Sequence, residues 1–423
     1  MEEGARTLRG RKAGLPAALL AGVLTAAIVM AVAGGGEPAD VRSESPGSVY
    51  QPRLGPTALA EIVRPVQQQV EDSAFAGAAI YVGVRDLEAA GAGVGNIGWT
   101  RNAAPVDPDS TIYDLASLTK VVATAAAVML LVDEGRIRLD DPVSHHLPDF
   151  SEGPKAKVTF RHLLTHTSGL PAGALLLGDG RAQRIARAAT FPIFPPAGAR
   201  EEYSDVGFVL LWEAAERAAG EPLHDYLERK LYGPLGMTST GFMPGLDCER
   251  CAPTGRLQDQ SLYRGRPFDP IAQRLDGVTG NSGLFSTAAD LGRFAAMITT
   301  GGELDGVRVL SEETVREFAA RQPVGRDHGL AWEISCGDPL TPDSLDENPT
   351  CEQPRSIGHT GWTGTSLRID LATGAWVVLL TNRTYEPRGP NRIAEVRREV
   401  FARVVEAATT SGVATSVQPP DAY

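Results

Sequence analysis

Cysteine is scarce in this chain: 423 residues contain four, and a zinc site is the rival reading to disulfides, with the spacing against it. Cys248 and Cys251 form one Cys-x-x-Cys pair, but Cys336 and Cys351 stand apart in a pattern unlike a zinc ribbon. Local disulfides, Cys248 with Cys251 and Cys336 with Cys351, are the expectation, in an oxidising compartment. Histidine is also sparse, at seven. His145 and His146 have no Glu or further His at the spacing of a metalloprotease helix and read as surface residues. Clustered Lys and Arg are missing, and with a formal net charge of −12 this turns the chain away from nucleic acid. There is no Gly-x-Ser-x-Gly segment; the near match Gly280-Asn281-Ser282-Gly283 is spaced wrongly, which excludes the nucleophile elbow of α/β-hydrolases.

What is present is ordinary globular composition, 43% hydrophobic and 22% charged, preceded by one targeting segment. Arg6, Arg9, Arg11 and Lys12 lead into an uncharged run that is apolar from Leu15 to Ala33. The positive flank predicts that this end stays in the cytoplasm and the rest is exported. The run is long enough to span, so residues 14–33 read as a retained membrane anchor, although Ala31-Val32-Ala33 also fits a small-residue cleavage site. No Cys follows it to carry a lipid. Residues 1–33 are thus an anchor or signal segment and 34–56 a Gly-, Pro- and Ser-rich linker. Residues 57–410 form the folded domain and 411–423 a tail.

Within the domain, Thr57 to Asp72 has helical spacing interrupted by Pro65. Ala78 to Val84 reads as a buried strand, followed by Gly-rich turns at Gly91 to Gly95 and a strand-like piece around Trp99. A lobe of helices is expected over about residues 121–275, including a capped turn of helix at Thr159 to Leu170 and a helix over Gly207 to Ala219. His166 and Ser168 read as structural parts of the turn that ends the first of these. Helices are expected at Asp290 to Ile298 and Ser311 to Ala320, strands at Leu330 to Ile334, Ser366 to Ile369 and Trp376 to Leu380, and a last helix at Asn391 to Ala408. Strands at both ends of the domain, joined by short links, imply antiparallel pairing.

The stretch from Asp114 to Gly135 organises the rest. After Lys120 it is apolar on nearly every face, as a core helix is, and Gly135 can end it in the left-handed conformation. Ser117 and Lys120, three residues apart, share one face. Burial could leave the lysine neutral and able to activate the hydroxyl. The first turn would also point free N–H groups at a ligand beside Ser117. Ser-x-x-Lys alone is a short motif that arises by chance, but two more clusters accompany it. Tyr203-Ser204-Asp205 precedes a helix, and a Tyr beside Lys120 could serve as a general base. His359-Thr360-Gly361-Trp362 opens a strand region, where Gly361 permits close approach and the next N–H could be a second oxyanion donor.

Taken in order, these motifs resemble those of the class C β-lactamases, D-Ala-D-Ala carboxypeptidases and related serine esterases, over roughly Thr57 to Ala408. Leu163 to Leu170 and Gly283 to Leu291 also look like segments of that family. The resemblance implies an α/β (α+β) fold, an antiparallel sheet flanked by helices with an inserted all-helical lobe. It implies a serine hydrolase in which Ser117 is acylated and then released by water, with Lys120 and Tyr203 sharing the proton transfers. Asp205, His359, Thr360 and Gly361 would line the substrate site, and the N–H groups of Ser117 and Trp362 would form the oxyanion hole. The substrate would be a small molecule or peptide carrying an ester, peptide or β-lactam amide bond; no metal or organic cofactor is implied. Two positions depart from the usual pattern. Asp205 replaces the frequent Asn; it can only accept hydrogen bonds when ionised, and it could pair with Lys120, raising the lysine pKa and leaving Tyr203 as base. His359 replaces the more frequent Lys and would bind a carboxylate less strongly. The alternative is a catalytically silent penicillin-binding or scaffold protein that retains the fold.

Overall fold

The computed structural model describes residues 55–341, 351 and 353–410. The expected anchor (1–33), nearly all of the linker and the tail (411–423) lie outside the described residues. The first helix, α1 (Pro56–Glu71), runs unbroken through Pro65. Proline costs one backbone hydrogen bond there, but it shares a buried face with Ile62, Val63 and Val66, and that packing holds the helix together.

Among the described residues six strands form the main sheet: β1 (Gly77–Val84), β2 (Glu88–Gly95), β3 (Glu333–Ser335), β4 (Ser356–Thr360), β5 (Ser366–Asp370) and β6 (Ala375–Thr381), in the spatial order β3-β4-β5-β6-β1-β2. Every neighbour pair is antiparallel, as the short links imply. The first strand of the domain therefore lies against the last, with Ile80 opposite Leu379. Both faces of β1 are covered. Ala78, Ile80, Val82 and Val84 pack with α1 and the final helix, while Ala79 faces the other core. That is why the strand reads as an unbroken apolar run rather than an alternating one.

Glycines 91 to 95 lie within β2 and not in turns. Their role is close approach: a Cβ on Gly93 would fall 1.9 Å from the Val106 carbonyl oxygen, where the chain crosses the strand. Trp99 lies in a bend, not a strand; its indole donates to the Tyr385 carbonyl at 3.1 Å. Leu330 to Trp332 likewise form a buried turn, with Ala331 at φ +72°, and the strand proper begins at Glu333.

One face of the sheet carries α1 and the C-terminal helix Ile393–Thr410, the other the helix Ala288–Thr299. The region between Lys120 and Arg274 alternates helices with long irregular loops and short strand pieces such as Gly241–Phe242. The helix Asp205–Ala219 is buried on most faces, and Phe160–Leu164 is closed by a capping box between Thr159 and His162. All four cysteines pair locally, Cys248 with Cys251 and Cys336 with Cys351, leaving none for zinc.

Candidate active site

The segment that carries Ser117 is not one regular helix. A 3₁₀ turn (Ala116–Leu118) leads into a π-helical stretch (Lys120–Ala125) and then an α-helix, α2 (Ala126–Asp133). Side chains from elsewhere take up carbonyls the wide turn leaves: Tyr232 donates to the Val122 carbonyl at 3.1 Å. Its composition would allow the stretch Ala116–Asp133 to cross a membrane, yet 83% of it is buried inside the protein. Gly135, at φ +67°, ends it as expected.

Ala116, just before the serine, is held at φ +48°. The buried carboxylate of Asp114 fixes this turn, accepting from the Ala116 N–H at 2.9 Å and the Phe268 N–H at 2.7 Å. Burial pushes the Asp114 carboxyl up to about 6 despite both bonds. Thr119 ties the turn down again, donating to the Ala116 carbonyl at 2.6 Å and accepting from the Leu284 N–H at 3.1 Å. Ser117 is thereby presented half-buried on a pinned backbone, with the following Leu118 and Thr119 N–H groups taken by the carbonyls of Leu115 and Ala116.

The Lys120 ammonium is fully buried and donates three hydrogen bonds: to Ser117 Oγ at 3.2 Å, Asp205 Oδ1 at 2.7 Å and the Asn281 carbonyl at 2.9 Å. Three acceptors around three protons suit the charged form. Desolvation alone would lower its pKa, but Asp205 and Tyr203 together raise it above the ordinary lysine value. The neutral-amine reading of Lys120 is therefore corrected, and the pairing with Asp205 is what the site contains. Tyr203 stacks beside the ammonium, its ring centroid 4.8 Å from Nζ, and its phenol is in hydrogen-bonding reach of both Lys120 and Ser117. Burial pushes the phenol pKa up, Lys120 pulls it down and Asp205 opposes that pull, leaving a net rise. The resting group is the phenol.

Ser204 caps the helix Asp205–Ala219 by accepting from the Gly207 N–H at 2.9 Å, and so aims Tyr203 and Asp205 at Lys120 from one helix end. His166 supports the same loop. Its Nδ1 accepts from the Ser204 N–H at 3.0 Å and its ring lies 4.4 Å from that of Tyr203, a positioning place in keeping with a structural reading.

The third cluster arrives from β4. Gly361 lies directly against the segment that carries Ser117: a Cβ there would sit 2.4 Å from the Leu115 carbonyl oxygen and 2.1 Å from Thr365 Oγ1. What crowds Gly361 is the chain itself. Thr363 and Thr365 fasten the loop further, donating to the carbonyls of Asp114 at 2.7 Å and Leu115 at 2.9 Å. His359 is buried, its ring centroid 6.2 Å from that of Tyr203, and burial pushes its pKa down to about 4 against the pull of Glu333. The Thr360 hydroxyl donates to Glu333 Oε1 at 3.3 Å. The Trp362 side chain stands 68% exposed at the rim, with Arg383 over its ring. All eight expected positions thus belong to one neighbourhood or its edge.

Residues that no motif announced also line it. His328 is bonded through Nδ1 to the carboxylate of Glu201, and Glu333 stands near His359. Asp114 and Asn281 hold the serine and lysine from below. Isolated acids and histidines at these separations carry no periodic signal; only the registers of the fold bring them together.

Comparison with known proteins matches a family model described as "Beta-lactamase" over residues 62–401. A protein of Escherichia coli (strain K12) named "Putative D-alanyl-D-alanine carboxypeptidase" is 33% identical over 309 residues, covering 66% of this chain and 70% of that one. Among solved structures, a β-lactamase/D-alanine carboxypeptidase from Pseudomonas syringae superposes with TM-score 0.67 at 20% identity, over 83% of this chain and 99% of the other. EstCE1, a hydrolase with promiscuous acyltransferase activity, gives TM-score 0.64 at 21% identity, over 82% and 99%. At these identities the solved structures speak for the fold.

Proposed function

The chain belongs to the β-lactamase family of serine hydrolases, and from that premise we propose that it is an exported, D-Ala-D-Ala carboxypeptidase-like enzyme that cleaves short peptides through an acyl-enzyme on Ser117. The observation that carries this reading is the Lys120 ammonium, 3.2 Å from Ser117 Oγ and 2.7 Å from Asp205 Oδ1, with the Tyr203 ring 4.8 Å away. The printed name of the Escherichia coli relative supports the substrate class. Two disulfides and the N-terminal apolar run support export and tethering by residues 14–33.

In this reading the reactive form is the one in which Tyr203 has given its proton to solvent and stands as a phenolate beside the Lys120 ammonium; Ser117 Oγ attacks the scissile carbonyl while its proton passes to that phenolate. The ammonium stabilises the developing charge on Oγ, and Asp205 balances that ammonium so it stays in place after the proton moves. The N–H groups of Ser117 and Trp362 receive the oxyanion. The proton returns to the leaving amine, and water, activated by the same pair, releases the acyl group. His359 and Thr360 shape the wall on which the end of the peptide rests.

The test is intact mass and product analysis after incubation with a D-Ala-D-Ala-terminated peptide, a fluorescent penicillin and an activated ester, for wild type and Ser117→Ala. Release of D-Ala by wild type alone is expected, with a penicillin adduct on Ser117. Ester turnover without peptide cleavage would move the assignment to an esterase. Silence toward all three probes in folded protein would overturn it in favour of a binding protein.

A further inference from the structure

Next to the serine centre lies a donor set that takes no part in the proton transfers assigned above, although His359 also borders the substrate wall. His328, Glu333 and His359 each bring one donor atom to within 4.8 Å of the others. The fold, not the sequence spacing, assembles them. His328 and Glu333 face each other across a tight turn as an isolated antiparallel bridge, and the β3–β4 register lays Glu333 opposite Gly358, the neighbour of His359.

Both imidazoles are held through Nδ1. That of His328 meets the Glu201 carboxylate, and that of His359 meets the Thr360 carbonyl at 2.8 Å. Carboxylate and carbonyl oxygens accept, so Nδ1 carries the proton in each ring and the lone pair is on Nε2. Among the described residues His359 Nε2 has no hydrogen-bond partner, although the residue is only 2% exposed. A buried acceptor left unpaired is costly, and such a group calls for a ligand.

We propose that His328, Glu333 and His359 form a binding site for one divalent transition-metal ion of the zinc class. Two imidazole nitrogens and one carboxylate are the donor types such an ion takes, and three protein ligands leave a position open. Magnesium and calcium prefer all-oxygen surroundings and are disfavoured by two nitrogens. The outer contacts are those of a metal site, since ligating histidines donate their other N–H to a carboxylate or carbonyl; here these are Glu201 and Thr360. The Thr360 hydroxyl, 3.3 Å from Glu333 Oε1, steadies the third ligand. Two carboxylates, Glu333 in the set and Glu201 against His328, answer an ion's charge, while Asp205 pairs with Lys120 and the Arg368 and Arg397 guanidiniums act on Glu333 in the opposite sense. The Tyr203 ring centroid is 6.1 Å from that of His328 and 6.2 Å from that of His359, so a bound ion is a close neighbour of the serine centre without being part of its chemistry.

The experiment is titration of the tag-free full chain in detergent with Co²⁺ alone, followed by visible d–d absorption and calorimetry. One Co²⁺ per chain is expected, with the strong bands of a low-coordinate nitrogen and oxygen site, displaced by Zn²⁺. His328→Ala and Glu333→Gln are each expected to weaken binding by tenfold or more. Glu201→Gln, which touches only the outer contact, should weaken it by about tenfold, and His145→Ala should leave it unchanged. Circular dichroism identifies folded variants, and any one of the first three that folds suffices. Absence of the bands, or affinity unmoved in the folded variants, overturns the site. Ser117→Ala should bind Co²⁺ as wild type does, so this result stands or falls separately from the hydrolase assignment.

Discussion

Every proton of the Lys120 ammonium is directed at an oxygen, and one of those oxygens belongs to a carboxylate. A lysine buried without that carboxylate would lose its charge; with it, the charge is retained. The pairing was legible in the sequence, because an Asp stands at 205, where the family resemblance leads one to expect Asn. The protonation state was not legible, since desolvation and a counter-ion push the lysine in opposite directions and only the 2.7 Å distance decides between them. Replacing Asp205 by Asn should therefore release Lys120 toward neutrality and offer an amide donor to an acylamino side chain. Acylation of Ser117 by penicillin is expected to speed up by roughly tenfold, about 1.4 kcal/mol in the barrier. The side chain of Asp205 is 25% exposed, so the lost ion pair should lower stability by only ~2 kcal/mol. Acylation followed by fluorescence, beside a denaturant midpoint, measures both; an unchanged acylation rate counts against this role for Asp205.

At the scale of elements, the turn before Ser117 and the loop after β4 are built as one piece. Asp114 and Thr119 hold Ala116 in the left-handed region from one side, and Thr363 and Thr365 bind the same backbone from the other. Asp114 keeps its proton in the folded protein up to about pH 6, whereas in the unfolded chain it ionises near the ordinary carboxylate value. Between those two pH values the folded state binds the extra proton, so stability from this group is full below the window and is lost as pH rises through it. The expected change is about 3 kcal/mol between pH 4 and 6.5. Asp114→Asn, compared with wild type by urea denaturation across that range, should show a correspondingly flatter profile. Gly361→Ala places a methyl group against the Leu115 carbonyl and Thr365. It should cost ~1–3 kcal/mol of stability and, by displacing the Trp362 N–H, reduce kcat more than it raises KM; an alanine variant with wild-type kcat would contradict the packing described. Sequence reading located these elements but misjudged some of their interiors. Gly91 and Gly93 look like turn residues because glycine is the usual turn former, yet each is a strand position crossed closely by other atoms.

Among the described residues, the largest apolar cluster runs from the sheet into the helical region. Trp376 of β6, Trp332 beside β3 and Trp212 in the helical region belong to one cluster, while a second cluster lies under α1 and the C-terminal helix. Ile80 belongs to that second cluster, and it pairs across strands with Leu379 from the other end of the domain. Ile80→Ala should cost about 3 kcal/mol and lower the midpoints read by tryptophan fluorescence and far-UV circular dichroism together. Separate midpoints would show that sheet and helical region unfold independently. The amino-acid sequence by itself determined the family, the Ser117-x-x-Lys120 motif, the two later motifs and the antiparallel scheme, because motif spacing, apolar runs and short links are local properties of the chain. Tertiary structure alone decided the charge on Lys120, the crowding at Gly361 and the meeting of His328, Glu333 and His359. Each of these depends on a distance between residues far apart in the chain, and electrostatic and steric energies follow distance in space.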